Sequence, residues 1–343
     1  MAETLRVGII GTGVMGQDHA RNFASGIAGG RLVAVADVNT AAASSLAAQA
    51  GAEHVFSSGE ELIDSGEVDA VIIAAPDRFH AGLTIRAMER GLPVLCEKPL
   101  APTADEAAGV VHRERELGES LVTVGFMRRF DPGYLALKQR LVTGMDGALL
   151  MSHSVHRNVD AHPDGTSSDT ITNSGIHEID TIPWLAGSPI AHVQWTSGKG
   201  SSLITKRLDP QFYLMTDAAG VLHTVEVQVQ AQYGYDVRCE LVCETANVEL
   251  PRVPTLVEEN PVLVSKNLTA SSAYPADWRP RFAAAYRAEL NAWVQAASAK
   301  QIPEGAATAT DALRATNVAN ALVESMERGG VQVAVPAIEE VLG

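Results

Sequence analysis

Two side chains that can donate or accept a proton, those of a lysine and a histidine, lie where a catalytic role is plausible from the surrounding sequence. Lys98 lies in VLCEKPLAPT, at the end of a short apolar run and between Glu97 and Pro99. The proline restricts Lys98 to extended backbone geometry, and the bond between the two residues is a candidate for the cis form. His177 lies in TNSGIHEIDTIPWL, a predicted helix, four residues after Asn173 and therefore on the same face. A histidine can take a hydroxyl proton at neutral pH, and an ammonium group stabilises a developing alkoxide.

Each of these residues also has an ordinary structural interpretation. An isolated lysine beside Glu97 is more often a surface residue in an ion pair, and a single helical histidine is more often a core or surface residue. The case for chemistry therefore depends on the elements that position Lys98 and His177.

A glycine-rich turn is the clearest of these elements. GIIGTGVMGQDHA places Gly11, Gly13 and Gly16 in GxGxxG spacing, directly after a predicted strand and at the start of a predicted helix. In this motif one glycine permits a tight turn, one lets the backbone approach a pyrophosphate, and one lets helix and strand pack closely. The next strand, RLVAVAD, ends at Asp37, about 20 residues beyond the glycines, where a carboxylate binds the adenosine ribose. Together these features predict a dinucleotide site.

Asp37 also bears on the choice of cofactor. A carboxylate repels a 2′-phosphate, and DVNTAAA contains no arginine to neutralise one. We therefore expect NAD, although Asp37 alone does not forbid NADP.

Up to about residue 124 the chain alternates apolar runs with Ala-rich amphipathic segments, which predicts a parallel sheet covered on both faces. The predicted strands are LRVGII, RLVAVADV, VDAVIIAA, LPVLCE and SLVTVGF. Capping boxes are predicted at Ser58 with Glu61 and at Thr103 with Glu106, and Gly91 is a predicted helix end. Ligands bind beyond the carboxyl ends of such strands, which is where Lys98 lies.

The pattern changes after GFMRRFDPGY. Asp131 is a predicted N-cap before Pro132, and longer strands follow: ALLMSHSVHRN, IAHVQWTSG, HTVEVQVQAQ, DVRCELVCE and ANVEL. Their period-two alternation predicts a largely antiparallel sheet with one face covered. Two Ala-rich helices are predicted at about 278–299 and 306–328. We therefore expect an α/β chain of two domains, 1–124 and 125–343.

Composition narrows the class of protein. The 343 residues carry a net charge of −15, with no basic cluster, which argues against a nucleic-acid binder. The run AVIIAAP is too short to span a bilayer, so no membrane association is expected. The opening MAETLRVGIIG has no basic region typical of a signal peptide, and the three cysteines form no disulfide or metal pattern. A cytoplasmic protein is the expectation.

A metal site is not expected either. Four histidines, His153, His156, His162 and His177, lie within one part of the chain, but without a ligand spacing such as HExxH.

Several motifs occur together in a recognisable order. GTGVMG, Asp37, AAPDRFH, CEKP, GFMRRFDPGY and the IHEID helix follow one another along the chain. In this order and spacing the chain resembles the Gfo/Idh/MocA oxidoreductase family over essentially its whole length. The segments VHRN, GFMRRFDPGY and DWRPRFAAAY are most similar to its inositol 2-dehydrogenase branch.

The resemblance implies a Rossmann domain followed by an α+β domain whose large, mostly antiparallel open sheet serves oligomerisation, as a tetramer or dimer. It implies an NAD-dependent dehydrogenase that oxidises a secondary hydroxyl of a cyclic polyol or sugar, most simply myo-inositol to 2-keto-inositol. Lys98 would lie near the nicotinamide ribose and the reacting hydroxyl and stabilise the alkoxide, and His177 would be the general base.

The same resemblance implies further site residues. Those at the cofactor would be Gly11, Thr12, Gly13, Val14, Met15, Gly16, Asp37, Val38, Ala75, Pro76, His80, Glu97 and Lys98. Those at the substrate would be Met127, Arg128, His156, Asn158, Asn173, His177, Tyr235, Trp278 and Tyr286. Without the resemblance, His156 and Asn158 fit a solvent-facing sheet edge equally well. Trp278 and Tyr286, eight residues apart, also fit a core stripe.

One residue departs from the family pattern. Asn173 stands where inositol dehydrogenases usually have an aspartate that pairs with the histidine. An amide can orient an imidazole but cannot stabilise an imidazolium as a carboxylate does. Either the substrate differs, or Asp169 or Asp180 supplies the charge, although Asp180 fits a purely structural role equally well.

Three other functions stay open. A sugar or deoxysugar ketoreductase and an NAD-assisted glycosidase are alternatives within the family. An NAD-binding regulator that senses sugars without catalysis is the alternative outside enzymes, although the presence of both Lys98 and His177 argues against it.

Overall fold

The computed structural model describes residues 4–159, 164–250, 264–266, 269–271 and 274–343. Its internal contacts divide the chain into two compact units. The first unit comprises Met1–Phe130, Ala285–Thr316 and Val341–Gly343, and the second comprises Asp131–Ala284 and Asn317–Glu340. The first unit is therefore built from three segments of the chain, whereas the sequence predicted a single boundary at 124/125.

The strands of the described residues are, in chain order, β1 Leu5–Ile10, β2 Gly30–Ala36, β3 His54–Phe56, β4 Ala70–Ile73, β5 Val94–Cys96, β6 Val122–Val124, β7 Leu149–Arg157, β8 Ile190–Ser197, β9 Gln211–Asp217, β10 Leu222–Gln228, β11 Asp236–Cys243, β12 Asn247–Glu249, β13 Val264–Lys266, β14 Thr269–Ser271, β15 Ala307–Thr308 and β16 Val333–Ala334.

The helices are α1 Val14–Ala24, α2 Thr40–Ala50, α3 Gly59–Asp64, α4 His80–Glu89, α5 Ala104–Leu117, α6 Pro132–Thr143, α7 Ser167–Asp169, α8 Ile176–Ala186, α9 Trp278–Ala297, α10 Ala309–Glu327 and α11 Ile338–Leu342. Short 3-10 turns cover Asp77–Phe79 and Met127–Phe130, and a π-helical turn, Thr170–Gly175, joins α7 to α8.

The sheet of the first unit has the order β15-β6-β5-β4-β1-β2-β3. All its pairings are parallel except that of β15 with β6. The five predicted strands all form, and the apolar side chains within β1, β2, β4, β5 and β6 are buried, as expected for a sheet covered on both faces. The three-residue β3 and the two-residue β15 are too short to produce a periodic pattern, and the sequence did not predict them.

Local hydrogen bonds explain where the helices begin and end. Ser58 and Thr103 accept the amides of Glu61 and Glu106, as predicted. The reciprocal half of the first capping box differs, because Glu61 accepts from the amide and hydroxyl of Ser57.

The other predicted helix boundaries also form. Asp131 caps α6 through the amides of Gly133 and Tyr134, and Pro132 is the first residue of that helix. Helix α4 ends at Glu89, and Gly91 follows it with φ +68°. Gly91 thus has the left-handed conformation expected of a glycine after a helix.

Helix α9 explains why the first unit takes in residues far along the chain. Leu290, Trp293, Val294 and Ala297 of this helix are buried in one apolar cluster with residues of β1, β2, α1 and α2. Trp293 is 1% exposed. The sequence predicted helix α9 within about two residues but did not indicate which core its apolar face joins.

The sheet of the second unit has the order β12-β11-β7-β10-β9-β8-β16 and is mostly antiparallel, with a parallel pairing of β7 and β10. The predicted alternation along β10 is confirmed: Val225 and Val227 are fully buried, and Glu226 and Gln228 are half-buried. The unpredicted β9 carries apolar side chains on both faces, so it lacks the alternation of a strand with one covered face. Within the described residues, no helix is both long and apolar enough to cross a membrane.

Truncating Trp293 should destabilise the first unit strongly. We expect Trp293→Ala to lower the free energy of unfolding by about 3–5 kcal/mol, because it leaves a large cavity among strands and helices. Gln295→Ala, at an exposed position of the same helix, is the matched control and should change stability by less than about 0.5 kcal/mol. Denaturant unfolding measures both, and equal stability of the two variants would contradict the assignment of α9 to this core.

Candidate functional site

The glycine-rich turn has the geometry that a pyrophosphate site requires. Gly11 has φ +103°, and a Cβ there would lie 2.4 Å from the carbonyl oxygen of Ala74. At Gly16 a Cβ would lie 2.0 Å from the carbonyl oxygen of Gly11, so only glycine lets α1 pack this closely on the turn. At Gly13, by contrast, a Cβ would meet no atom within 4 Å. The open space beside Gly13, at the start of α1, fits an approaching phosphate.

Asp37 lies just after β2 and faces the same turn. Its Oδ2 accepts hydrogen bonds from the amide and hydroxyl of Thr12, at 2.8 and 2.7 Å, and its Oδ1 accepts from the amide of Asn39. Burial raises the pKa of Asp37, but the donors on Asn39 and Thr12 outweigh burial and leave the pKa below its ordinary value. The carboxylate is thus charged and held beside the turn, as an adenosine ribose site requires.

The remaining residues predicted for this end of the cofactor surround the turn. Val14 and Val38 are large apolar side chains left 60% and 88% exposed, and Met15 is half-buried. Exposed apolar side chains beside a charged carboxylate fit a flat aromatic base that packs on one side and binds polar groups on the other. The residues of the first unit therefore fit NAD.

Lys98 is half-buried and not at the open surface, and its acidic neighbour Glu97 is held in the core. Glu97 is buried, and its Oε1 lies 2.8 Å from Nε2 of the fully buried His19 in α1. Its other carboxylate oxygen accepts from the Lys98 amide at 3.3 Å, and the Lys98–Pro99 bond is cis, the form the sequence suggested. Burial lowers the pKa of the Lys98 ammonium, with a further decrease from Arg128, and these outweigh the opposing effects of Glu97 and Asp77. A lysine with a lowered pKa in this position is suited to proton chemistry.

His19 is a residue that the sequence analysis missed. It lies three residues after Gly16, on the face of α1 that the glycine places against the sheet, so a buried position was foreseeable from helix periodicity. Its ring also packs edge-on against Tyr286 of α9, with centroids 6.1 Å apart. Tyr286, predicted at the substrate, is thus a buried neighbour of the His19–Glu97 pair in the first unit.

The second unit gathers several of the predicted substrate residues. His156 of β7 and His177 of α8 have ring centroids 6.0 Å apart, and Tyr235 packs edge-on against His156 at 5.9 Å. Nδ1 of His156 lies 2.8 Å from Oε2 of Glu178, and both side chains are at most 3% exposed. Two imidazoles, a phenol and a carboxylate therefore meet at one place on the sheet.

Glu178 is the second buried polar residue of the candidate site that the sequence analysis did not single out. Two features of the sequence together indicate that His156 needs a partner. The period-two alternation puts His156 on the covered face of β7 with Ser152 and Ser154, and a buried imidazole requires a polar partner. Glu178 is one of two acids in IHEIDTIPWL, and the choice between it and Asp180 depends on the crossing of helix and strand, which a sequence does not specify.

The structure shows where the acids near Asn173 and His177 lie. Asn173 lies in the π-helical turn before α8, a kind of distortion often found at functional sites, and is half-buried, as is His177. Asp169 accepts from the amide and hydroxyl of Thr166 as part of a helix cap. Asp180 is buried in α8. Glu178, which the sequence analysis did not consider, is the acid that binds the histidine next to His177.

Other predicted residues lie at defined places. β7 pairs with β10 and β11, so His156 and Asn158 do not lie at a sheet edge, and the Asn158 backbone continues the pairing with Gln228 and Ala231. Met127 and Arg128 are buried in the 3-10 turn after β6. Trp278 begins α9 and is half-buried.

Arg129, next to the buried Arg128, lies 3.3 Å from Asp311 within the first unit, which is a structural ion pair. In the described part of the chain, no group of three His, Cys, Asp or Glu residues is arranged to hold a metal ion. His162, one of the four histidines considered for a metal, lies outside the described residues.

Two glycine variants should separate binding from folding. Gly13→Ala adds a methyl group in open space at a backbone φ of −67°, which alanine tolerates, so we expect wild-type stability and NAD affinity weaker by about tenfold. Gly16→Ala forces α1 away from the turn and should lower stability by about 1–3 kcal/mol. Thermal unfolding without cofactor and NAD titration measure the two effects. Unchanged NAD affinity in Gly13→Ala would show that no phosphate occupies this space.

The comparisons with known proteins agree with this arrangement. A family model described as oxidoreductase family, NAD-binding Rossmann fold, matches residues 5–126, and one described as oxidoreductase family, C-terminal alpha/beta domain, matches residues 151–335. The chain is 44% identical over 332 residues to inositol 2-dehydrogenase 2 of Paenarthrobacter aurescens, which covers 95% of this chain and 97% of that relative.

Two solved structures share the fold over nearly their whole length. The myo-inositol dehydrogenase of Lactobacillus casei in complex with NAD(H) and myo-inositol has a TM-score of 0.91 and 30% identity over 97% of each chain. The scyllo-inositol dehydrogenase of the same species with NAD(H) and scyllo-inositol has a TM-score of 0.89 and 26% identity, and covers 98% of this chain and 100% of that one. The glycine turn, the placement of Asp37 and these matches lead to one conclusion: the chain belongs to the Gfo/Idh/MocA family of NAD-binding oxidoreductases.

Proposed function

We propose that this protein is an NAD-dependent inositol dehydrogenase that oxidises the C2 hydroxyl of myo-inositol to a ketone. The observation that carries the proposal is the buried His156–Glu178 pair beside His177, a set of polar groups held between helix α8 and the sheet. Burying such a set has a high desolvation cost, which hydrogen bonds within the set offset, and a site for a polar ligand accounts for its presence. The relatives that span the whole chain and are named inositol dehydrogenases support a cyclic polyol as that ligand.

The chemistry divides between the cofactor and the chain. NAD, when bound, supplies a nicotinamide ring that accepts the hydride from the carbinol carbon. The hydroxyl proton leaves to the imidazole of His177, so that one hydride and one proton together convert the alcohol to the ketone. Lys98 stabilises the negative charge that develops on the oxygen as the proton departs. The lowered pKa of Lys98 supports a role at the reacting hydroxyl, because an ammonium that gives up its proton more easily also donates a stronger hydrogen bond.

Asn173 carries no negative charge, and Glu178 is the proposed source of that charge near His177. We propose that Asn173 orients the His177 ring, and that the buried negative charge of this region comes from Glu178 through His156. With Nδ1 held by the carboxylate, His156 presents Nε2 for a substrate hydroxyl, and Asn158 and Tyr235 extend the same polar surface. The other proposed substrate residues are Met127, Arg128, Trp278 and Tyr286. The ring of Tyr286 packs against His19, so it also supports the His19–Glu97 pair.

The choice of epimer is a separate question. The two solved relatives bind myo-inositol and scyllo-inositol, which differ in the configuration of one hydroxyl group. Reduction of NAD measured with myo-, scyllo- and D-chiro-inositol and with hexoses separates the polyol dehydrogenase from a sugar ketoreductase. Tight NAD binding without turnover of any of them would favour the non-catalytic regulator.

We further propose a homotetramer or homodimer in the cytoplasm. On the face of the second sheet opposite His156, the apolar side chains of Met151, Val155, Phe212 and Leu214 are only half-buried. Glu226 on this face is bound to Arg157 at 2.7 Å, which lowers the cost of covering it. Sedimentation equilibrium measures the assembly, and a monomer at micromolar concentration would contradict it.

Removing the Lys98 ammonium should lower turnover strongly and preserve most of the NAD affinity. We expect Lys98→Met to lower kcat by on the order of 10²–10³, the loss typical for a group that stabilises a developing oxyanion. Lys199→Met, at an exposed lysine of the second unit, is the matched control and should have wild-type kinetics. Steady-state kinetics with inositol and NAD measure both, and wild-type turnover of Lys98→Met would rule out the proposed role.

Neutralising Glu178 should weaken substrate binding in particular. In Glu178→Gln the amide oxygen still accepts from His156, but the charge-assisted hydrogen bond is lost, so we expect the KM for inositol to rise about tenfold with a smaller change in kcat. The KM for NAD should not change. Glu324→Gln, in an exposed helical ion pair, serves as the control. An unchanged KM for inositol in Glu178→Gln would show that the His156–Glu178 pair does not touch the substrate.

A further inference from the structure

The hydrogen bonds of His80 are unusual for a buried histidine. His80 is the first residue of α4 and is 1% exposed. Its Nδ1 lies 2.7 Å from the carbonyl oxygen of Pro99, and its Nε2 lies 2.7 Å from the carbonyl oxygen of Ala75. A carbonyl oxygen only accepts hydrogen bonds, and a neutral imidazole carries a single N–H. Both contacts are satisfied at once only if both ring nitrogens carry a proton.

We propose that His80 is a permanent imidazolium and a positioning residue of the cofactor site, which ties the turn after β4 to the loop after β5. The first carbonyl belongs to the Ala75–Pro76 turn, and the second belongs to the residue that follows Lys98. The inference rests on the proposed function in one respect: these two loops are taken to border the nicotinamide half of NAD. The charge state of the ring does not depend on that assignment.

Two effects oppose a charge on this ring, and its neighbours outweigh them. Burial lowers the pKa of His80, and a cation at the first turn of a helix is disfavoured by the helix dipole. The negative charge and hydrogen bond of a Cys96 thiolate, followed by the carbonyls of Pro99 and Ala75, act in the opposite direction and raise the pKa to about 10. A neutral ring would place a bare nitrogen lone pair against a carbonyl oxygen at a buried site, where this repulsion is costly.

Several titratable groups lie near the two loops that His80 joins. Asp77 follows Pro76, and Lys98 precedes Pro99, so both lie on the loops that the ring joins. Glu97 is bound to His19. Cys96 is the titratable group that acts on the ring from the neighbouring strand, and its effect is separable by substitution. The His80 ring, held by two carbonyls, should keep its charge throughout the pH range in which the enzyme works. The loops at Ala75 and Pro99 therefore stay joined while other groups titrate.

Nitrogen-15 NMR of the histidine rings tests the charge directly. In the full-length protein without cofactor, at pH 8, we expect both nitrogens of His80 to resonate as protonated nitrogens. His80→Gln identifies its signal among the ten histidines. If that variant does not fold, neutron diffraction of the wild-type protein locates the two ring protons instead. One bare nitrogen on His80, by either method, would overturn the proposal.

A cysteine variant separates the two possible sources of the charge. In Cys96→Ala the two carbonyls remain, so we expect His80 to stay doubly protonated at pH 8. A ring that becomes neutral in Cys96→Ala would show that a thiolate, and not the carbonyl pair, holds the proton, and would overturn the proposal as well.

The positioning role has its own measurement. ADP-ribose contains the pyrophosphate and both riboses of NAD but lacks the nicotinamide. We expect His80→Gln to weaken NAD by about tenfold or more, because one carbonyl loses a charged donor, and to leave ADP-ribose affinity close to wild type. Equal losses for both ligands would show a general structural defect instead. These readouts do not involve turnover, so failure of the Lys98 or His177 roles is distinguishable from failure of this inference.

Discussion

A buried imidazole must find hydrogen-bond partners, and this constraint shapes both units of the protein. His19 binds Glu97, His80 binds two backbone carbonyls, and His156 binds Glu178. In each case the partner lies at or beside a residue proposed to contact cofactor or substrate. Hydrogen bonds from buried histidines therefore hold the loops and helix ends that carry the proposed site residues, where apolar packing alone would hold them less firmly.

The pairing of Glu97 with His19 shows how this works for Lys98. The sequence CEKP offers a carboxylate next to a lysine, and the simplest expectation is that the two neutralise each other. Instead, Glu97 turns into the core, and its carboxylate also approaches Gly125, where a Cβ would lie 3.2 Å from it. Burial lowers the pKa of Lys98, although the nearby charge of Glu97 acts in the opposite direction.

The fold was largely predictable because its signals are local. The Rossmann strands are continuous apolar runs, the glycine motif encodes its own turn, and the helix caps at Ser58, Thr103 and Asp131 are read directly from the sequence. The site was predictable in part. Asp37 and the glycines follow from spacing, whereas Glu178 and His19 depend on which helix face meets which strand. That information lies in tertiary packing and not in any short stretch of residues.

Asn173 illustrates the same limit from the other side. Its identity is visible in the sequence, but the π-helical turn that contains it is not, and this turn sets the position of its side chain relative to α8. The sequence suggests two acids near Asn173 as the source of negative charge, Asp169 and Asp180. In the structure Asp169 caps α7, and the acid beside the histidine pair is Glu178, which adjoins His177 in the sequence and reaches across to the sheet.

The position of Trp293 and its neighbours has a consequence for biosynthesis. Nascent chains emerge from the ribosome N-terminus first, and N-terminal domains usually fold while the remainder is still being made. Here the nucleotide-binding half cannot complete its interior until residues 290–297 have been translated, because Leu290, Trp293, Val294 and Ala297 fill part of it. Its apolar surface must therefore stay protected for most of the time that the polypeptide takes to be synthesised.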